Sequence, residues 1–323
     1  MQAVVLAGGY ATRLWPITKH RPKMFLPVGE ETVIDRIFEQ LEADDRIDEV
    51  FVSTNERFAE DFEQHLEASP FEKPRLSVED TTAEDEKFGV IGALAQLVER
   101  EGIDDDLLVI AGDNLISFAV SDFIDFFDEK QNPVLAAYDV GSLDRAKSYG
   151  LVDLDGDVIV DFQEKPDNPK STLVSIACYA FPEDSILFDE YLDADNNPDE
   201  PGWFIQWLFS RQEVNAFTFE GAWYDIGTPE SYLDAVAWSL GGENLVAESA
   251  TLDNVTLGEN VLIMPGATLE NAAVDQSVIF ANATIENCDL RECIIDEETH
   301  VANVNLAGAL IGAHTHLTNG NSK

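Results

Sequence analysis

Gln2-Ala-Val-Val-Leu-Ala-Gly-Gly-Tyr-Ala-Thr-Arg-Leu-Trp-Pro-Ile-Thr-Lys-His-Arg-Pro-Lys-Met-Phe-Leu-Pro-Val28 is the stretch on which the reading turns. Ala3–Ala7 is an unbroken apolar run of strand length, as expected of a strand buried on both faces of a parallel sheet. It breaks into Gly8-Gly9, a turn whose backbone N–H groups can approach an anion closely. Residues 1–29 contain no Asp or Glu, yet Arg13, Lys19, Arg21 and Lys23 fall within eleven positions. The whole chain holds only 19 Lys and Arg against 63 Asp and Glu, a net charge of −44. A cation cluster in so acidic a protein points to an anion that it must hold, at the carboxyl end of a parallel strand where ligands of open α/β sheets bind. A flexible turn followed by a solvated basic loop is the plainer alternative.

Outward from that stretch, strand patterns at 2–7, 49–54, 75–79, 106–111 and 133–139 alternate with helical ones at 32–44, 56–67, 89–101 and 120–129. This alternation predicts an α/β fold, a doubly wound, mostly parallel sheet. Closer runs at 150–154, 157–163, 173–181, 214–219 and 222–226 predict antiparallel additions, closed by a helix over 229–240. Beyond Gly241-Gly242, aliphatic residues recur every five or six positions, from Val246, Leu252 and Leu257 to Ile311 and Leu317. Fragments such as Leu257-Gly-Glu-Asn-Val-Leu262 and Ile263-Met-Pro-Gly-Ala-Thr268 read as hexapeptide repeats, hence a small parallel β-helix of about four coils at ~18 residues each. The expected domains are 1–240 and 246–323.

Composition narrows the classes. With 45% apolar and 10% aromatic residues over 323 positions, the acids must clothe a folded core. Such a surface repels duplex nucleic acid and anionic lipid, so neither is expected as a partner. Three cysteines cannot form a disulfide framework, and no apolar run reaches ~18 residues. The expectation is a cytoplasmic protein of a salt-accumulating halophile. Walker-type and Gly-x-Gly-x-x-Gly phosphate loops are both absent.

The stretch Leu6–Val28 resembles the signature of the sugar-1-phosphate nucleotidylyltransferases, the NDP-sugar pyrophosphorylases, most nearly the glucose-1-phosphate thymidylyltransferase type. Phe88-Gly-Val-Ile-Gly-Ala-Leu94, Gly112-Asp-Asn114, Tyr149-Gly-Leu-Val152, Glu164-Lys-Pro166 and Trp223-Tyr-Asp-Ile-Gly-Thr-Pro229 are similar to further family blocks, in the family's order. Ala11 replaces a glycine of many members, and Ser175 stands where a sugar-binding asparagine is expected. The resemblance implies a Rossmann-like catalytic domain, here followed by a left-handed parallel β-helix. It also implies attack of a sugar-1-phosphate oxygen on the α-phosphorus of an NTP, with Mg²⁺ as cofactor and NTP and sugar-1-phosphate as substrates.

On that reading Leu6, Ala7, Gly8, Gly9, Glu79, Gly89 and Asp113 bind the nucleotide. Arg13 clasps the β- and γ-phosphates, and Lys23 meets the charge building on the α-phosphate. Gly150, Glu164, Lys165 and Ser175 take the sugar phosphate, and Asp113 with Asp225 holds the metal. Glucose-1-phosphate with dTTP or UTP leads; mannose-1-phosphate with GTP is the rival, because Glu79 could accept from guanine N1–H and N2–H₂. Each has a plain alternative: Asp113 and Asp225 as turn residues, Glu164-Lys165 as an exposed ion pair, Glu79 as a solvated acid. A regulatory relative without turnover, and acyl transfer using His300, His314 or His316, are further readings. Repeat coils commonly stack between subunits, so a homo-oligomer is expected.

Carboxylate repulsion is screened only when the Debye length is short, about 3 Å at 1 M salt. Lowering KCl is therefore expected to unfold the protein, read as a falling thermal midpoint. An unchanged midpoint in dilute buffer without divalent ions would contradict the expectation.

Overall fold

A computed structural model describes residues 1–79 and 89–319. The main sheet has nine strands: β1 Gln2–Leu6, β2 Glu49–Asn55, β3 Pro74–Glu79, β4 Leu107–Ala111, β5 Val134–Asp139, β6 Gly150–Asp155, β7 Val158–Glu164, β8 Leu173–Phe181 and β9 Asn215–Thr218. Their order is β3-β2-β1-β4-β8-β5-β9-β7-β6. β1 runs parallel to both neighbours, with Leu6 opposite Ser53 on β2 and Ala111 on β4. The chain leaves β1 towards β2 and β3 and later returns to its other side as β4, so the strand order reverses beside β1. Val33–Ala43, Ala59–Ala68, Val90–Glu101 and Val120–Lys130 are helices near the expected bounds. One core joins Val4, Phe51 and Val109 of the sheet to Ile91 and Leu94 and to Phe204, Ile205 and Leu208.

Two expectations about the later strands need correcting. β9 pairs antiparallel with β7 on one side, as expected, but parallel with β5 on the other. Trp223–Asp225 is outside the main sheet altogether. β8 is antiparallel as expected, but it is wedged between β4 and β5. Pairing direction is decided by partners far along the chain, which a strand's own side chains do not encode.

The remainder of the chain forms three parallel sheets of five, five and four short strands, visited in rotation. This is the pairing pattern of a parallel β-helix. Its step is shorter than the expected ~18 residues: seventeen in the first turn, where Leu245 pairs with Leu262, and sixteen later, where Val278 pairs with Ile294 and Ile294 with Leu310. The reason lies at the corners, where single residues adopt left-handed φ in three columns. These are Asn254, Asn271, Asn287 and Asn303; Asn260, Gln276, Glu292 and Gly308; and Gly266, Asn282, Glu298 and His314. One residue per corner in this conformation turns the chain sharply, and asparagine tolerates it best after glycine. Asn254 donates to Asn271 at 2.7 Å and Asn287 to Asn303 at 3.2 Å. Inside, Leu269, Ile285 and Val301 stack in one column and are fully buried.

By contacts the chain divides into two compact units: Met1–Gly8 with Arg36–Trp223, and Gly9–Asp35 with the residues from Tyr224 onward. Among the described residues, no helix is long and apolar enough to cross a membrane. All three cysteines are buried and free. Shortening Ile285, at the middle of its stack, to alanine is expected to cost about 2–5 kcal/mol. Urea unfolding at fixed KCl reads the change, and a loss below about 1 kcal/mol would mean that the column does not hold the coil together.

Candidate active site

In the first unit, Leu6, Ala7, Gly8, Glu79 and Asp113 lie at the carboxyl ends of the parallel strands, while Gly9 belongs to the second unit. Gly112 N–H donates to Leu6 O at 2.9 Å, which sets the chain leading into Asp113 beside the end of β1. Ala7 N–H donates to Ser53 O at 2.7 Å, and the Asn55 amide donates to Gly8 O at 2.9 Å. Glu79, the last residue of β3, accepts from Ser53 Oγ at 3.0 Å. A side chain at Gly8 would start 3.2 Å from Glu79 Oε1, so the glycine leaves backbone and carboxylate in close array. Ser53 and Asn55 were not singled out by sequence; a polar Ser-Thr-Asn end on a buried strand was the available signal. Gly89, with φ 76°, caps the helix Val90–Glu101. Any Cβ there would meet Pro198 backbone at 2.5 Å, so the position requires glycine. Phe88, at the head of the expected base-reading segment, lies outside the described residues.

A second cluster of the same unit forms where β6, β7 and β8 meet. Gly150 is the register partner of both Glu164 and Ser175. A Cβ on Gly202 would fall 1.6 Å from Glu164 Oε2, and one on Gly150 2.8 Å from it, so two glycines make the room for this carboxyl. Burial raises the Glu164 carboxyl to about 7; Lys165 opposes the rise and Glu200 reinforces it. Glu164 and Lys165 are not an ion pair with each other, since Lys165 Nζ instead meets the Glu200 carboxylate. Lys165 has φ 42°, a left-handed lysine directly after a strand, and its N–H donates to Tyr149 O at 3.2 Å. Such a conformation costs a residue other than glycine about 1–3 kcal/mol. Nothing in the sequence sets Glu200 apart among 63 acids.

Arg13, Lys23 and Asp225 belong to the second unit. Lys23 folds back onto the glycine turn, its Cε 3.8 Å from where a Gly9 side chain would begin. A Cβ on Gly227 would stand 3.0 Å from Arg13 Nη2 and 3.4 Å from Asp225 Oδ1, so cation and carboxylate flank one glycine. Thr18 Oγ1 donates to Ala11 O at 2.8 Å and ties off the turn, where Ala11 takes the left-handed φ of 49° that a glycine would adopt freely. Arg21 departs from the expectation: its anion is protein, Asp296 at 2.8 Å and Glu297 at 3.0 Å. Among the described residues, no three His, Cys, Asp or Glu side chains converge as a metal cluster. His314 occupies a left-handed corner and pairs with Glu298 at 3.1 Å.

Comparison with known proteins places these features. The nucleotidyl transferase family model matches residues 2–240. The bifunctional protein GlmU of Methanocaldococcus jannaschii is 26% identical over 272 residues, covering 83% of this chain and 61% of that protein. This chain thus spans less than two thirds of that relative. A Sulfolobus acidocaldarius protein named for mannose-1-phosphate guanyltransferase is 26% identical over 285 residues, 85% of this chain and 76% of the other. A crystal structure from Bacillus anthracis, named for glucose-1-phosphate thymidylyltransferase, shares the fold with a TM-score of 0.62 at 24% identity, over 74% of this chain and 95% of that one.

The folded Glu164 carboxyl, at about 7, lies above the 4.5 of an unburied one. The folded state therefore binds more protons, and this group's contribution to stability is lost as pH rises from about 4.5 to about 7. Glu164→Gln is expected to flatten the thermal midpoint against pH across that window at fixed KCl. A variant with the same slope as wild type would contradict this.

Proposed function

The chain belongs to the nucleotidyl transferase family, and on that footing we propose that it joins an NTP to a sugar-1-phosphate and releases pyrophosphate, with glucose-1-phosphate and dTTP or UTP as the leading pair. The observation that carries the reading is the glycine turn after β1 with Lys23 folded onto it, in a chain of charge −44. In the proposed step a phosphate oxygen of the sugar-1-phosphate attacks the α-phosphorus. The bond from that phosphorus to the β-bridging oxygen breaks, and pyrophosphate leaves with the bonding pair. Both reactants are anions, so neutralisation and in-line positioning supply most of the catalysis.

Lys23 would meet charge developing on the α-phosphate and Arg13 the departing pyrophosphate. Lys165 would exchange Glu200 for the sugar phosphate, while Gly150, Glu164 and Ser175 line the sugar. Leu6, Ala7, Gly8 and Gly89 would face the nucleoside, with Glu79 reading the base edge. Asp113 and Asp225 would hold Mg²⁺, a fit for an ion that takes one or two carboxylates and completes its shell with phosphate oxygens and water. When bound it would offset phosphate charge. Mannose-1-phosphate with GTP is the second reading, favoured by the carboxylate of Glu79 fixed by Ser53 beside Gly8.

We further take 1–240 as the catalytic module and 246–323 as a left-handed β-helix serving packing and homo-oligomer contacts, in the cytoplasm of a salt-accumulating cell. Pyrophosphate release at high KCl with Mg²⁺ tests the function, using dTTP, UTP, GTP, CTP and ATP against glucose-, mannose-, N-acetylglucosamine- and galactose-1-phosphate. One active pair is expected, with Lys23→Ala and Asp113→Ala each lowering kcat about 10²-fold or more. A blank grid from folded protein would overturn the enzyme reading and favour a binding protein.

A further inference from the structure

Arg21 sits two residues before Lys23 on the same loop. Its guanidinium bonds Asp296 at 2.8 Å and Glu297 at 3.0 Å, and lies 4.8 Å from the centre of the Phe280 ring. Among the described residues, Asp296 is the one buried carboxylate of a chain with 63 acids, at 1% exposure. An acid is kept in such a place only with a partner. Asp296 Oδ1 also accepts the Glu297 N–H at 2.8 Å. Two further fastenings flank the pair. Pro16 packs so closely on Gly312 that a Cβ there would be 2.8 Å from Pro16 Cβ. Tyr232 Oη donates to Pro27 O at 2.8 Å from a fully buried position. The loop segment 16–27 is thus tied at three points to residues beyond 224, and this is why Gly9–Asp35 groups with them in one compact unit.

We propose that Arg21 is a positioning residue, whose buried ion pair with Asp296 makes the C-terminal coil the mount for the loop that carries Arg13 and Lys23. Its catalytic half rests on the roles given above to Arg13 and Lys23; its structural half does not. A substrate-binding arginine would be poised toward solvent, whereas this one is spent on a carboxylate inside the protein. The coil then serves the chemistry without touching substrate, by fixing where the following turn, Lys23–Phe25, begins.

Hydrogen–deuterium exchange of the full chain at high KCl, wild type against Asp296→Asn, tests the structural half without substrate. Peptides from residues 9–28 should exchange about tenfold faster or more, those from 107–111 at the wild-type rate. Unchanged exchange in 9–28 overturns the proposal. Should Asp296→Asn not fold, Phe280→Leu and Arg21→Lys give the same reading with the carboxylate retained, and unchanged loop exchange in both overturns it. For the catalytic half, Arg21→Gln and Asp296→Asn should each lower kcat about 10²-fold at near-constant KM, the double variant should lose no more than either, and Arg21→Lys should recover part. A raised nucleotide KM in Arg21→Gln with wild-type kinetics in Asp296→Asn would make Arg21 a substrate ligand and overturn the proposal. Loop loosening in a protein with no transferase activity would uphold the mount and refute instead the roles of Arg13 and Lys23.

Discussion

The parallel pairing of β1 with strands on both sides is the constraint from which the candidate site descends. Because β2 and β4 both run with β1, their carboxyl ends open on the same edge, and the backbone bond from Gly112 to Leu6 O fixes Asp113 next to the outgoing Gly8. Had β4 run the other way, these glycine and acidic turns would lie at opposite edges. Every other feature of this cluster refines that placement. Ser53 and Asn55 at the end of β2 hold Glu79 and the Gly8 carbonyl, and the bareness of Gly8 lets the carboxylate approach.

Charge gives the molecule a second organising logic. In a chain of −44, three cations have a carboxylate at hand: Lys165 has Glu200, Arg21 has Asp296, and Arg13 flanks Gly227 together with Asp225. The difference between them is burial. The Lys165 pair is half exposed, so water and incoming phosphate can compete for it. The Arg21 pair is enclosed, where removal of one partner strands the other. Exposed pairs suit exchange with a ligand, enclosed ones suit structure.

Much of this was legible from residues alone, because the deciding signals are local. Strand, glycine turn and helix alternate at βαβ spacing, and the aliphatic period of the last 80 or so residues marks a coil. The resemblance rested on a long, ordered signature. What stayed hidden depends on partners distant in sequence. The parallel course of β9 and the wedging of β8 between β4 and β5 follow from the assembled sheet. The step of sixteen or seventeen residues, by contrast, stands in the sequence as the spacing of Leu269, Ile285, Val301 and Leu317, and it goes with one left-handed residue per corner. Arg21 clusters in sequence with Arg13 and Lys23, and sequence shows where cations cluster but not which anion each one meets.

The claim at the centre is that the turn after β1 is a nucleotide cradle. A crystal structure with a bound nucleotide and Mg²⁺, grown at high KCl, examines it most directly. The expected result has the triphosphate on Lys23 and Arg13, the base against Gly8 with its edge toward Glu79, and the metal on Asp113. A nucleotide bound elsewhere, with the Gly8-Gly9 turn vacant, would contradict it.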